Sequence, residues 1–241
     1  MSAQPPPYDG HDLEALADLP RYTGWILDEF SPFLRGRVIE VGAGIGNVAL
    51  RYLDRSGPAA VTDAVLVEPA ANLHARLVQR VGSDARVHTV HGTLDAVPAA
   101  LLDRPFDAAV MVNVLEHIED DLGTLRRLRE LLRPGGAVCL FVPAGPWLFG
   151  SLDRAVHHVR RYRRRELDHV VRAAGFEVAK LAWFDALGMV PWFVAGRVLR
   201  RKTFDRTAAM LYDQVGVPLT RAVEARVRLP VGKSLVAVGV R

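Results

Sequence analysis

The chain has 241 residues, half of them hydrophobic and 24% charged, a balance that predicts one packed domain and excludes wholesale disorder. A single cysteine, Cys139, excludes an internal disulfide framework and any cysteine-based zinc or iron–sulfur centre. The net charge of +4 hides an asymmetry: residues 1–150 carry 13 Lys+Arg against 19 Asp+Glu, and residues 151–241 carry 18 against 8. The second part is therefore expected either to meet something anionic or to present a solvated basic face.

The opening MSAQPPPYDG has neither a basic start nor an apolar stretch, so residues 1–10 read as a flexible tail and no secretory signal is expected. Helical turns follow over 11–35, broken near Pro20. Val38-Ile39-Glu40-Val41 then has the β-branched, unbroken apolar character of a strand buried on both faces. Further strands are predicted at 64–67, 86–90, 108–112 and 137–142, with helices at 47–54, 70–81, 94–102 and 120–132 between them. A helix at 164–174 precedes a strand at 177–183, and 234–240 reads as the last strand. Strands and helices alternating at this spacing argue for crossover units and a mostly parallel, doubly wound α/β sheet. The core runs from 36 to 183, and a basic helical cap over 184–233 is inserted before the closing strand at 234–241. The longest uncharged apolar stretch, 186–196, is interrupted by Pro191 and too short to cross a bilayer; a soluble, cytoplasmic protein is the expectation.

The most informative stretch is Val38-Ile39-Glu40-Val41-Gly42-Ala43-Gly44-Ile45-Gly46-Asn47, a strand running through a glycine-rich turn into a helix. Glycines there permit positive φ and let a ligand approach the backbone, and the helix start behind them offers free N–H groups. Alone, the pattern would suit a tight turn; Glu68, 24 residues after Gly44 at the end of the next strand, is placed to accept ribose hydroxyls. A dinucleotide site wants G-x-G-x-x-G, whereas the spacing here is G-x-G-x-G. The acid Glu40 just before the loop suits a cationic ligand better than a pyrophosphate.

These segments, with LVEP, FDAAVMVNVLEHIED and LLRPGGAVCLFVP in the same order, resemble the class I S-adenosylmethionine-dependent methyltransferases over about residues 20–183, and more closely their small-molecule type 11/12-like branch. The resemblance implies a Rossmann-like seven-stranded fold and S-adenosylmethionine as cofactor. It places Glu40, Gly42, Ala43, Gly44 and Gly46 along the cofactor's amino-acid moiety, Glu68 and Pro69 at the ribose, Thr93 and Leu94 at the adenine, and Asn113 beside the cofactor. Thr93 stands where the family often has Asp. The run Asn113-Val114-Leu115-Glu116-His117 resembles enzymes that methylate small molecules and lacks the box of nucleobase amine methyltransferases.

A histidine suits removal of a proton from an acceptor hydroxyl, and His117 follows the fourth strand, on the sheet edge where such folds bind ligands; it is the catalytic candidate, with Glu116 assigned to the start of the following helix. Six arginines and no acid lie between Arg154 and Arg165. The stretch resembles D-x-x-x-G-H-x-R-R-Y, with His157 replacing the glycine, and it makes His158, Arg160, Arg161 and Tyr162 candidates for acceptor binding. Tyr22, on the helix before the first strand, is a further candidate wall. No metal is expected, because the adjacent His157 and His158 diverge and no third ligand is evident. The expected partner is a small-molecule acceptor, for O-methylation in the first instance. A C- or N-methyltransferase, a non-catalytic cofactor-binding protein and a nicotinamide-dependent oxidoreductase are the alternatives. Nucleic acid is the less favoured partner. The 184–233 segment reads as a substrate lid, a dimer contact or a peripheral membrane contact, and the protein as a monomer or homodimer.

Overall fold

A computed structural model describes residues 19–57, 60–203, 205–227 and 229–241; the expected tail at 1–10 and the first part of the N-terminal helices lie outside them. Helix α1 (Pro20–Phe30) leads into β1 (Gly36–Val41), and the chain continues through α2 (Asn47–Leu53), β2 (Val61–Glu68), α3 (Ala71–Val81) and β3 (Val87–His91). Then come β4 (Phe106–Val112), α4 (Asp121–Leu131), β5 (Leu132–Pro143), a short helix α5 (Ser151–Ala155), α6 (Arg164–Ala173) and β6 (Glu177–Phe184). The cap holds α7 (Met189–Phe193), α8 (Arg206–Leu211) and α9 (Val217–Glu224), before β7 (Ser234–Val240) closes the chain.

One seven-stranded sheet has the order β3-β2-β1-β4-β5-β7-β6. β1 pairs in parallel with β2 and β4, and β4 with β5, while β7 runs antiparallel between β5 and β6. The strand order reverses between β1 and β4, the point where an open α/β sheet leaves a crevice at its carboxyl edge. Both faces are apolar, as the unbroken β-branched runs require. Val38, Leu66, Val110 and Phe141 pack with Trp25, Phe30, Tyr52 and Leu77 on one side; Ile39, Val67, Met111 and Leu140 pack with Leu125, Leu128, Leu167 and Val171 on the other. Cys139 is fully buried in the first layer, a core residue.

The predicted helix at 94–102 is instead two single 3₁₀ turns, Leu94–Ala96 and Ala99–Leu101. Pro98 accounts for the break: it supplies no N–H and holds Val97 extended, at φ −66°, ψ 121°. In the cap, α7 and α8 each run on through a wide π-type turn, at Val194–Val198 and Tyr212–Gly216. Seams at both ends tie this cap to the core. The Asp213 carboxylate accepts from the backbone N–H of Arg21 (3.1 Å) and of Tyr22 (2.8 Å), and the Ser151 hydroxyl donates to the carbonyls of Gly196 (2.9 Å) and Arg201.

Candidate active site

The glycine loop after β1 is held by backbone bonds: the N–H groups of Gly42 and Ala43 both donate to the Val67 carbonyl, at 2.8 and 3.0 Å. Its three glycines have φ of 72°, 57° and 83°, yet they serve different ends. A β-carbon on Gly42 would overlap the Val114 side chain, and one on Gly46 would come within 2.9 Å of Leu77; one on Gly44 would meet nothing within 4 Å. Gly42 and Gly46 are thus demanded by packing, whereas Gly44 bares its backbone to open space, as a loop must where a ligand lies against it.

Glu68 joins the loops that surround this space. Its carboxylate accepts from Gly44 N–H (2.7 Å) and Ala70 N–H (2.8 Å), and its carbonyl accepts from Gly92 N–H (3.0 Å). Burial raises its pKa, against the lowering effect of the two backbone bonds. A carboxylate has lone pairs for two further donors beyond these. Pro69 separates it from α3, and Thr93 and Leu94 follow Gly92 on the same edge. Glu40 is 2% exposed, accepts from the Tyr52 hydroxyl at 2.9 Å and has its pKa raised to about 8, chiefly by burial and further by Glu68. A buried acid poised at that value ionises when a cationic group arrives beside it. Asn113, just past β4, takes the left-handed conformation (φ 53°) with its N–H on the Phe141 carbonyl, 2.8 Å. The open glycine backbone, the two buried acids and the switch-point position fit a ligand with a ribose and a charged amino-acid end.

On the other side of the crevice the chain brings together residues from distant segments. Glu116 does not stabilise the next helix: Asp120 does that, accepting from Gly123 N–H at 2.8 Å. The Glu116 side chain turns inward, fully buried, and among the described residues its two oxygens have no hydrogen-bond partner beyond its own backbone. Burial, aided by Asp153, pushes its pKa to about 8, with Arg161 opposing. His158 Nε2 lies 3.7 Å from Glu116 Oε1, and His158 Nδ1 is 2.9 Å from the buried Asp153 carboxylate, which fixes the ring. The His117 ring stands edge-on to His158, with centroids 4.8 Å apart. Desolvation, then His158, depress the His117 pKa to about 4, against a hydrogen bond with the His157 backbone. The expectation of no metal weighed only His157 and His158; the fold instead gathers one ligand atom each from Glu116, His117 and His158 within 4.8 Å of one another.

Arg160 and Arg161 are occupied within the protein. Arg161, 3% exposed, donates through Nε to Asp153 (2.6 Å) and through a terminal nitrogen to the Ala144 carbonyl (3.0 Å), and it stacks over Trp192 at 4.8 Å. Arg160 reaches Asp121 (2.7 Å) and the Glu119 carbonyl (2.8 Å), and the Tyr162 hydroxyl donates to the same Asp121 at 2.8 Å. Arg160 and Tyr162 thus brace the segment after β4, while His158 and Arg161 stand beside Glu116. His157, in the glycine position of the motif, has φ 59°, the conformation a glycine would take without strain. Tyr22 is buried against Phe141 and Phe184, with Lys233 Nζ 4.6 Å above its ring; Lys233 in turn pairs with the buried Asp185 at 2.7 Å. Trp192 and Lys233, both from the far end of the chain, carry no motif in the sequence that announces this position.

This sheet order, with its glycine loop and acid at the switch point, defines a Rossmann-like methyltransferase of class I, dependent on S-adenosylmethionine. The family model for a methyltransferase domain matches residues 12–181, and the chain belongs to that family. It is 29% identical over 182 residues to a ubiquinone biosynthesis O-methyltransferase from Xanthomonas campestris, covering 68% of this chain and 71% of that one. It is 27% identical over 141 residues to a tRNA U34 carboxymethyltransferase from Saccharophagus degradans, covering 56% of this chain and 41% of that one. The fold is also that of an S-adenosylmethionine-dependent methyltransferase from Mesorhizobium loti, with a TM-score of 0.60 at 14% identity, over 91% of this chain and 98% of that one.

Proposed function

We propose that this methyltransferase acts on an oxygen of a small-molecule acceptor, with Glu68 at the cofactor's ribose, the Gly42–Gly46 loop and Asn113 along its length, and Glu40 near its amino group. When bound, S-adenosylmethionine supplies a methyl group already activated by the sulfonium. The chain's own task is then to align the acceptor, keep water out and take the acceptor's proton. The observation that carries this reading is the convergence of Glu116, His117 and His158 just past the carboxyl end of β4, the strand beside β1. His117 is unprotonated at neutral pH, because its pKa lies near 4, and so has a free lone pair for an acceptor O–H. As the acceptor oxygen gains its methyl group and loses its proton to that imidazole, the positive charge faces His158 and the Asp153 carboxylate behind it. Asp153 holds His158 in place for this.

The relative in ubiquinone biosynthesis, an O-methyltransferase by name, favours a hydroxyl acceptor. The cluster is read as proton-handling: Arg161 already supplies positive charge to Glu116 and Asp153 and opposes a divalent ion there. The test is methyl transfer to a panel of phenols, sugar hydroxyls and carboxylates, followed by mass spectrometry and by release of S-adenosylhomocysteine. His117→Ala is expected to lower kcat by about 10²–10⁴-fold while S-adenosylhomocysteine still binds, and a chelator is expected to leave the rate unchanged. Full activity in His117→Ala, or transfer to carbon acceptors only, contradicts the proposal.

A further inference from the structure

We infer that the cap helix α7 and its continuation to Val198 seat the protein on an anionic lipid surface. This helical run has its sides reversed relative to an ordinary surface helix. Its inward side carries Trp192, stacked on Arg161, and Gly196, which is so close to the core that a β-carbon on Gly150 would lie 2.7 Å from the Gly196 carbonyl. Its outward side is apolar: Val190, Phe193, Val194 and Val198, at spacings of three, four and eight residues, are 65, 38, 40 and 61% exposed. Trp147, 56% exposed, adds its ring 6.2 Å from that of Phe193. Water-exposed apolar side chains collected on one helix face mark an interaction surface.

The charge around this face says what covers it. Between Asp185 and Asp205 there is no acid, while Arg197, Arg200, Arg201 and Lys202 follow one another. All four are exposed, and among the described residues none of them pairs with a carboxylate. With Arg154 and Phe193, Arg197 and Arg200 line a hollow of about 460 Å³, room for an anionic headgroup ringed by guanidinium groups. Aliphatic and aromatic side chains beside unpaired cations match the apolar and anionic zones of a lipid surface. A second copy of the chain would set cation against cation, and a nucleic acid would leave Val190, Val194 and Val198 in contact with phosphates. Among the described residues no helix is long and apolar enough to cross a membrane, so the contact lies on the surface. The reverse side of the same helix carries Trp192 onto Arg161, so such a surface would lie beside the cluster of Glu116, His117 and His158.

The experiment is sedimentation of the full chain with vesicles of phosphatidylcholine alone and of phosphatidylcholine mixed equally with phosphatidylglycerol, at low and high salt. Binding to the mixed vesicles only, weakened by salt, is expected. The triple variant R200E/R201E/K202E should lose on the order of 100-fold or more in affinity, from about fivefold per basic residue, and Val190→Ser with Val198→Ser should also weaken binding. Thermal melting checks that both variants fold. No binding to mixed vesicles at low salt, or equal binding by the triple variant, overturns the inference. So does dimerisation in sedimentation velocity that Val190→Asp abolishes, or RNA binding stronger than vesicle binding.

Discussion

The two walls of the crevice are built in opposite ways. The wall proposed for the cofactor is made largely of backbone: consecutive residues Gly42–Gly46, stitched to β2 by N–H bonds and joined to neighbouring loops through the one side chain of Glu68. The wall proposed for the acceptor is made of side chains from four distant segments: Glu116 and His117 after β4, Asp153 to Arg161 around α5, Trp192 in the cap and Lys233 before β7. The first kind of wall depends on local conformation and tolerates variation elsewhere. The second depends on buried charges satisfying one another, so each member is costly to remove.

That contrast sets an order of expected effects. The largest falls on the acceptor wall: Asp153→Ala leaves the buried Arg161 and His158 without their shared partner and should cost about 3–5 kcal/mol of stability, read from urea denaturation. Next is Glu68→Ala, expected to weaken S-adenosylhomocysteine binding on the order of 100-fold, since the proposed role gives its carboxylate two ribose hydrogen bonds worth about 1.5–3 kcal/mol each, partly offset by water. The two glycines sharpen the comparison within the cofactor wall. Gly42→Ala, facing Val114, should lower the melting temperature more than Gly44→Ala. Gly44→Ala should reduce binding, because its β-carbon enters the open space.

Glu40 offers a pH test. Its folded pKa of about 8 lies above the ordinary 4.5, so the folded state keeps a proton that the unfolded state releases. Its contribution to stability is therefore full below about pH 4.5 and is lost as pH rises toward 8. Glu40→Gln should remove that decline, seen as urea midpoints that change less than those of the parent between about pH 4.5 and about pH 8. The smallest effect belongs to His157→Gly, which relieves the left-handed strain at φ 59° and should stabilise by about 0.5–1 kcal/mol.

The same contrast explains what could be read in the sequence. The strands, their mostly parallel order and the glycine-rich turn after β1 were legible because each is encoded by contiguous residues: β-branched runs and glycines at fixed offsets. Pro98 was equally local, yet a helix was expected over 94–102, which the missing N–H of Pro98 breaks into two short turns. The acceptor wall was legible only in fragments. His117 and His158 stood out, but Glu116 read as a helix-start acid because nothing local shows that its carboxylate turns inward toward a histidine 42 residues later. The run of arginines suggested a surface for ligands, whereas Arg160 pairs with Asp121, which lies before β5, and Arg161 with Asp153 of its own segment. The basic, apolar character of the cap was visible in composition, and only the structure shows which side of its helix faces water.

The central claim is most directly tested by calorimetric titration of S-adenosylhomocysteine into the protein and into Glu68→Ala, with NAD as the control ligand. One-to-one binding of S-adenosylhomocysteine, strongly weakened in the variant and with no heat from NAD, is the predicted result. Binding of NAD instead, or equal affinity of S-adenosylhomocysteine for a folded Glu68→Ala protein, would contradict the assignment of this crevice edge.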